Sequence, residues 1–588
     1  MAGKRIHLFK NMQEGNKLLL MSLAVGTASG FAAVILSYLI HLIQAFFTAS
    51  LIDSAEVVLY FLLPGVGMLL AMLFVRYVIK DNIGHGVTKV LVSVSKKEPR
   101  IKGHNTWSSI LSSAVTIGFG GSVGAEAPIV YTGAAIGSNF ARLAGLSHRS
   151  MTILIGCGAA GAVAGIFKAP LAGVLFTLEI LLFNISMTSM MPLMLSTVSA
   201  TVVSYIFLGN EHPFQCTLTA FSMANIPFYI ILGIVGGLCS VYFIRMTLHL
   251  EDKIGSKGNH LTRWLTCAVL LGFLIYLFPP LYGEGYDSLG VLLNGGEMVL
   301  DGMTPLAGLL HSKWGVPLFF LMILLLKVFS MTLTNAGGGV GGTFGPTLFV
   351  GAITGFVVAR VLNILMVGAG VSVPEQNFVL VGMAALMAGV MQAPMTAIFL
   401  IAEISGGYEL FLPLIISAAF SFGTTRIFER YSIYSKRIAQ SGELLTHDND
   451  QAVLTLLKTR DLVRDKYPRV NVDMTLGRFV DVISNSDAQV FAVLDNDDHL
   501  MGLVEMDRMR KLMFKTELYD KMRVEDFMEA PQALVYLDEK MDSVMSKFDK
   551  TEAWRLPVVD ENRVYAGFVS KSRILSAYRL ELKEISQD

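Results

Sequence analysis

The first 440 residues of this 588-residue chain are a succession of apolar stretches long enough to cross a lipid bilayer. A spanning helix needs about 20 apolar residues. Runs at roughly 17–48, 57–80, 107–143, 151–184, 190–208, 226–249, 262–282, 315–334, 345–367, 377–403 and 411–428 supply them. In hydrocarbon every backbone N–H and C=O must be bonded within the protein, which leaves a helical bundle as the solution for runs of this kind. The expected fold class is therefore an all-α polytopic membrane protein. Gly clusters and Pro interrupt several of the runs. Irregular backbone survives at membrane depth only where protein covers it or where it lines a wet cavity, so the interruptions predict a transport pathway.

Charge is concentrated at the other end. Only 16% of the chain is charged, against about 25% in a soluble domain, and residues 441–588 hold 21 of the 46 basic and 28 of the 46 acidic residues. Two environments thus share one chain, and the net charge of zero argues against a nucleic-acid partner, which would need a basic face. Cys157, Cys216, Cys239 and Cys267 lie at wide spacing without a CxxC pair and read as small buried hydrophobes. The first apolar run continues to about Phe47, too long for a cleavable signal. Lys4, Arg5, Lys10 and Lys17 precede the first segment and Arg426, Arg430, Lys436 and Arg437 follow the last. The positive-inside rule then places both termini in the cytoplasm, with an even number of crossings.

An internal repeat runs through the apolar region. Gly120–Gly137 (GGSVGAEAPIVYTGAAIG) aligns with Gly338–Gly355 (GGVGGTFGPTLFVGAITG) at an offset of 218, matching Gly120, Gly121, Gly124, Pro128, Gly133, Ala134 and Gly137. Ala169–Ile180 (APLAGVLFTLEI) aligns with Ala393–Ile404 (APMTAIFLIAEI) at an offset of 224. Two blocks in the same order predict a duplicated membrane unit, with halves at about 17–210 and 226–440. Beyond 440 the pattern changes to strand, turn, strand, helix, twice: Phe491–Asp495 with Gly502–Glu505, and Leu556–Asp560 with Gly567–Ser570.

Chemistry concentrates in the repeat blocks. Glu126 lies in an apolar Gly-rich loop two residues before Pro128, which suits the first turn of a helix. The free N–H groups of such a helix start, and the positive end of its dipole, favour an anion. Glu126 can occupy the place of a mobile anion and act as a gate, or simply cap its own helix. The aligned residue in the second block is Phe344. There the N–H groups of Thr343 and Phe344, before Pro346, can cradle an anion without a cation, and such weak sites permit release; the glycines can equally serve close helix packing. Glu179 and Glu403 recur at one place in both halves and read as structural carboxylates that accept N–H bonds from a neighbouring loop. Lys168 is matched by Gln392 and reads as a helix-end or interface residue. No HExxH or phosphate-loop motif and no acidic metal cluster in the membrane region is present in the sequence. No enzyme, cofactor or metal is expected, and His85 and His104 fall near loops.

At these residues the chain resembles the CLC family of chloride channels and proton-coupled chloride transporters. The family motif GSGIP resembles Gly84-His85-Gly86-Val87-Thr88, GREGP resembles Gly124-Ala125-Glu126-Ala127-Pro128, and GxFxP resembles Gly342-Thr343-Phe344-Gly345-Pro346. The resemblance implies an inverted repeat of about 18 helices, a homodimer with a separate pore in each subunit, and Glu126 as the external gate. It implies anion-binding positions at Ala125, Glu126, Ala127, Gly342, Thr343 and Phe344, and at Tyr434, with Tyr431 close enough to compete. His85 replaces the family serine, Thr88 a Pro and Ala125 an Arg, and His85 is expected to line or border the path. Proton-exchanging relatives often carry a second carboxylate where this chain has Ile180, which favours channel-like chloride conduction; chloride/proton antiport is the alternative, and a fluoride pathway or a CBS-regulated cation transporter a third reading.

The tail resembles a pair of cytoplasmic CBS domains, expected at 459–518 and 519–588 after a linker at 441–458, with 1–16 as a cytoplasmic segment. Nucleotide-binding pairs often place an Asp three residues after a Ser or Thr. Here those places hold Glu505 with Arg508 and Ser570 with Arg573, so the expected role is dimerisation or coupling without an adenine nucleotide. The partners expected are chloride, a second copy of the chain and the lipid bilayer of the cell membrane.

Overall fold

The computed structural model describes residues 12–586 apart from 51–55, 82, 85, 96–99, 182–186, 211–213, 215–217, 256–258, 296–303, 367–371, 441–456, 465–466 and 552. The chain divides into two compact units, Met1–Leu444 and Leu445–Asp588. In the first, the described helices are α1 (Glu14–Ser50), α2 (Glu56–Leu73), α3 (Gly86–Ser95), α4 (Ser108–Gly118), α5 (Glu126–Ala144), α6 (His148–Phe167), α7 (Pro170–Glu179), α8 (Met187–Leu208), α9 (Ile226–Gly255), α10 (His260–Leu277), α11 (Tyr286–Leu293), α12 (Gly315–Ala336), α13 (Phe344–Leu365), α14 (Glu375–Val390), α15 (Pro394–Ile404), α16 (Phe411–Phe428) and α17 (Ile433–Gln440). Nine described helices are long and apolar enough to cross a membrane. Large apolar side chains such as Leu20, Tyr38, Ile206, Leu265 and Ile427 are exposed on the outside, as a lipid-facing surface requires.

The duplication is visible in the packing. α6 is surrounded by α1, α5, α7 and α8, and α14 by α9, α13, α15 and α16. Both central helices are apolar on every side, and Asn377–Val390 of α14 is buried throughout. Small residues let the backbones approach closely where lipid gives helices no hydrophobic reason to associate. A Cβ on Gly137 of α5 would lie 2.0 Å from the Leu154 carbonyl oxygen, and one on Gly355 of α13 would lie 1.8 Å from that of Phe378. These pairs are related by the two sequence offsets, so the glycines of both blocks serve close packing.

The second unit contains two small modules of one design. In the first, β1 (Arg469–Asn471) runs parallel to β2 (Val490–Leu494), which pairs antiparallel with β3 (Leu500–Glu505). In the second, β4 (Val535–Tyr536), β5 (Arg555–Val559) and β6 (Tyr565–Ser570) repeat that order, with the register shift at the same place. Amphipathic helices α18 (Leu476–Ser484), α19 (Met506–Leu512), α20 (Met541–Thr551) and α21 (Lys571–Ser586) complete them. Each module has its own core, around Phe479 and Phe491 or around Phe548 and Val558, and Ala492, Leu494, Tyr565 and Phe568 join the two sheets.

Candidate functional site

The two Gly-rich repeat loops meet face to face. Gly124 N–H donates to the Gly342 carbonyl at 3.1 Å and Gly342 N–H returns the bond to Gly124 at 2.7 Å, an antiparallel bridge. The flanking bonds obey the same two-fold relation. Ser122 N–H donates to Thr334 Oγ1 and Val340 N–H to Thr116 Oγ1, partners that exchange under the offset of 218. Gly120 and Gly338 take φ values of +91° and +102°, a left-handed region open to glycine. Helices α5 and α13 therefore begin beside each other inside the protein.

Glu126, at the first position of α5, reaches across to the opposite repeat. Its Oε2 accepts the N–H of Gly345 at 3.1 Å, at the start of α13, and its Oε1 accepts the Tyr286 hydroxyl at 2.7 Å. The carboxylate is buried and occupies a helix start of the opposite repeat, where backbone donors and the helix dipole favour negative charge. A Cβ on Gly124 would fall 2.1 Å from Glu126 Oε2, so this seat requires the glycine.

Sequence reasoning missed the loop that completes the arrangement, Gly283–Tyr286. Glu284 Oε1 accepts the Ala125 N–H at 2.9 Å, so a protein carboxylate holds one of the donors expected to receive a mobile anion. Lys327, fully buried in α12, donates to the carbonyl oxygens of Gly283 at 2.9 Å and Glu284 at 3.3 Å, with its ammonium 4.8 Å from the Phe349 ring centroid. The available signal was an ionisable residue in an apolar run, which at membrane depth is a functional candidate by default.

On the other side of α13, Thr343 and Tyr434 are neighbours. Their buried hydroxyls face each other, and the buried Thr88 hydroxyl near the start of α3 meets hydrogen-bond geometry with no described protein group. Hydroxyl donors without an internal acceptor suit a small anion. Ala127 packs against Gly342, where an added Cβ would lie 2.8 Å from the Ala127 methyl. Phe344 is buried against the Phe167 and Phe176 rings. Thus Ala125, Glu126, Ala127, Gly342, Thr343, Phe344 and Tyr434 belong to one buried region; Tyr431 is partly exposed, and His85 lies outside the described residues.

The remaining repeat carboxylates are crossed between the halves. Glu179 accepts the N–H groups of Met395 and Thr396 and the Thr396 hydroxyl, at 3.1, 2.7 and 2.6 Å. Glu403 accepts the N–H groups of Leu171 and Ala172 at 3.1 and 2.9 Å. Each therefore holds the start of a helix in the opposite repeat. Ile180 follows Glu179 as a buried residue at the end of α7. Lys168 and Gln392 adopt φ values of +55° and +53° at helix ends and donate to carbonyls at the ends of neighbouring segments, Leu208 and Gly209 for the one and Glu429 for the other.

In the tail, Arg508 pairs with Glu529 at 2.6 Å, and Ser570 Oγ accepts the Arg573 N–H. Asp495, Asp497 and His499 bring three metal-type ligand atoms within 4.8 Å of one another. Asp495 there accepts the N–H groups of residues 497 and 499, as Asp560 does from 562 and 564 in the second module. The shared feature is a turn that closes a hairpin.

A family model described as voltage gated chloride channel matches residues 66–426, and a CBS domain model matches residues 524–580. A ClcB-like protein of Ralstonia nicotianae is 26% identical over 386 residues, covering 65% of this chain and 85% of that protein. The crystal structure of a slow cyanobacterial Cl-/H+ antiporter aligns with TM-score 0.62 and 19% identity over 72% of this chain and 98% of its own. That of a eukaryotic CLC transporter aligns with TM-score 0.62 and 16% identity over 95% of this chain and 98% of its own. At these identities the two structures speak to the fold alone.

Proposed function

Since the chain belongs to the voltage-gated chloride channel (CLC) family of anion transporters, with a CBS region in its tail, we propose that it conducts chloride passively through a separate pore in each subunit of a homodimer, gated by Glu126. The observation that carries this reading is the seat of Glu126 on the Gly345 N–H of the opposite repeat. A tethered carboxylate there competes with a mobile anion for the same donors, and its protonation or withdrawal opens the path. The backbone donors and the hydroxyls of Thr343 and Tyr434 offer partial charges only, which hold an anion weakly enough to release it. Ile180 at the end of α7 supports conduction without proton exchange, because its side chain cannot carry a proton. The proposal includes residence in the cell membrane, cytoplasmic termini and a CBS pair at 459–518 and 519–588 that couples or dimerises subunits.

The test is flux from liposomes with chloride and proton electrodes read together. Glu126→Gln is expected to raise chloride flux at neutral pH and to flatten its pH dependence, because the amide mimics the protonated gate. A parental profile in a well-folded Glu126→Gln protein overturns the gate. Proton movement driven uphill by a chloride gradient replaces the channel with an antiporter, and faster fluoride than chloride flux replaces the ion.

A further inference from the structure

The loop Gly283–Tyr286 grips two consecutive residues of the gate. Glu284 takes the N–H of Ala125, and Tyr286 donates its hydroxyl to Glu126. The loop is itself pinned at several points. Lys327 holds its carbonyls, Gly283 N–H donates to the Gly120 carbonyl at 3.0 Å, and Ser122 Oγ donates to the Leu281 carbonyl at 2.7 Å. We propose that Glu284 is a positioning residue for the Glu126 gate, a second carboxylate whose charge keeps the start of α5 clamped so that Glu126 stays seated on α13. The proposal rests on the gate reading above and adds a residue that has no counterpart in the repeat: the position 218 residues before Glu284 is Val66.

The physical argument concerns charge. A carboxylate accepts an N–H far more strongly than a neutral carboxyl does. Protonation of Glu284 therefore weakens its bond to Ala125, loosens the segment that carries Glu126 and favours the unseated gate. Protonation of Glu126 acts in the same direction. The ionisable groups within electrostatic reach of Glu284 are Glu126 on α5, Tyr286 and Asp287 on α11, and Lys327 on α12. The two carboxylates oppose one another's charge and Lys327 offsets it, so proton uptake by the two is coupled. Like charges resist each other's ionisation, so the two protons are taken up in separate steps and the flux-pH profile of the parent is expected to be broader than a single titration.

The experiment is chloride efflux from liposomes containing the full chain, measured between about pH 4.5 and 7.5, a span that runs upward from ordinary carboxyl values. Four proteins are compared: parent, Glu284→Gln, Glu126→Gln and the double variant. Loss of one charge-assisted hydrogen bond shifts an equilibrium by about tenfold. Glu284→Gln is therefore expected to raise flux at neutral pH by about tenfold and to reduce the profile to a single titration. Because Glu284 acts through Glu126, the double variant is expected to match Glu126→Gln. A parental profile for Glu284→Gln overturns the proposal, and so does a double variant that differs from Glu126→Gln. A parental profile for Glu126→Gln instead overturns the gate reading, which keeps the two failures distinct. If Glu284→Gln does not yield monodisperse protein, Glu284→Asp replaces it. This variant keeps the charge, shortens the reach to Ala125 and is expected to give a profile between those of parent and Glu126→Gln; a parental profile overturns the proposal there as well.

Discussion

Replacing Tyr286 by Phe removes one atom from the proposed gate and little else. The ring packs edge-on against Phe214 with centroids 5.5 Å apart, a contact that Phe retains, so the variant isolates the hydroxyl. That hydroxyl and the Gly345 N–H are the two donors from outside α5 that hold the seated Glu126 carboxylate, at 2.7 and 3.1 Å. An O–H bond of that length to an ionised oxygen is the stronger kind, and a bond to a charged group contributes about 1.5–3 kcal/mol net. Losing it lowers the ratio of seated to unseated gate by about 10- to 150-fold. Chloride efflux at neutral pH from liposomes containing Tyr286→Phe is therefore expected to rise at least about tenfold, or to the ceiling set by Glu126→Gln where that is reached first. Adding Tyr286→Phe to Glu126→Gln is expected to change far less, because the ionised acceptor is already gone. A folded Tyr286→Phe protein with parental flux at every pH would refute the reasoning, since the bond would then stabilise seated and unseated states alike.

Two further predictions concern stability. Glu179 receives a third bond, from the Thr396 hydroxyl at 2.6 Å, beyond the two backbone bonds that Glu403 receives from Leu171 and Ala172, so a double-mutant cycle of Glu179→Gln with Thr396→Val, read by thermal unfolding in detergent, is expected to give a coupling of about 1–2 kcal/mol; additive losses would contradict it. In the tail, burial pushes the Glu539 carboxyl up, but hydrogen bonds from Lys547, Ser543 and the Tyr536 N–H together draw it below its ordinary 4.5. A depressed carboxyl contributes stability that is fully present above its unfolded value and is lost as pH falls through the folded one. Hydrogen exchange of tail peptides in the full chain is therefore expected to accelerate below pH 4.5, and Glu539→Gln is expected to lose part of that acid response.

Much of the architecture was legible because its determinants are local. Apolar runs give helices, and the two repeat blocks, rich in Gly and Pro, mark where helices α5, α7, α13 and α15 begin. Glu126, Thr343 and Phe344 stand in motifs at those starts, whereas Tyr434, in α17, was named through the family resemblance. The donors and acceptors that join the halves were less legible. Nothing local in Glu179 names Met395 and Thr396 as its partners, 216 and 217 residues away, and Glu126 alone does not say whether it caps its own helix or that of Phe344. Glu284 was hidden for a different reason. It lies outside both repeat blocks, so the symmetry that exposed the other carboxylates passed over it, and only its position in an apolar stretch with Lys327 downstream marked it.

The four carboxylates follow one rule and differ in how firmly they obey it. Glu126, Glu179, Glu284 and Glu403 each accept a backbone N–H at the start of a helix in the opposite half. Inside a membrane domain this arrangement is doubly favourable, because a buried carboxylate needs donors and a buried helix start needs acceptors. Glu179 and Glu403 each take two successive N–H groups on separate oxygens. Such bidentate holds are costly to break and fix the repeats to each other. Glu126 takes a single N–H from α13, supplemented by a phenolic hydroxyl. A mobile anion can replace one N–H contact far more readily than two, and a proton on the carboxylate weakens both remaining bonds at once. The same crossed geometry thus yields two fasteners and, on the reading proposed above, one latch at Glu126 with Glu284 holding it in line. What sets Glu126 apart from Glu179 and Glu403 is that the opposite repeat gives it one N–H where it gives them two, so removing its charge is expected to open the pathway, read as faster chloride efflux from liposomes.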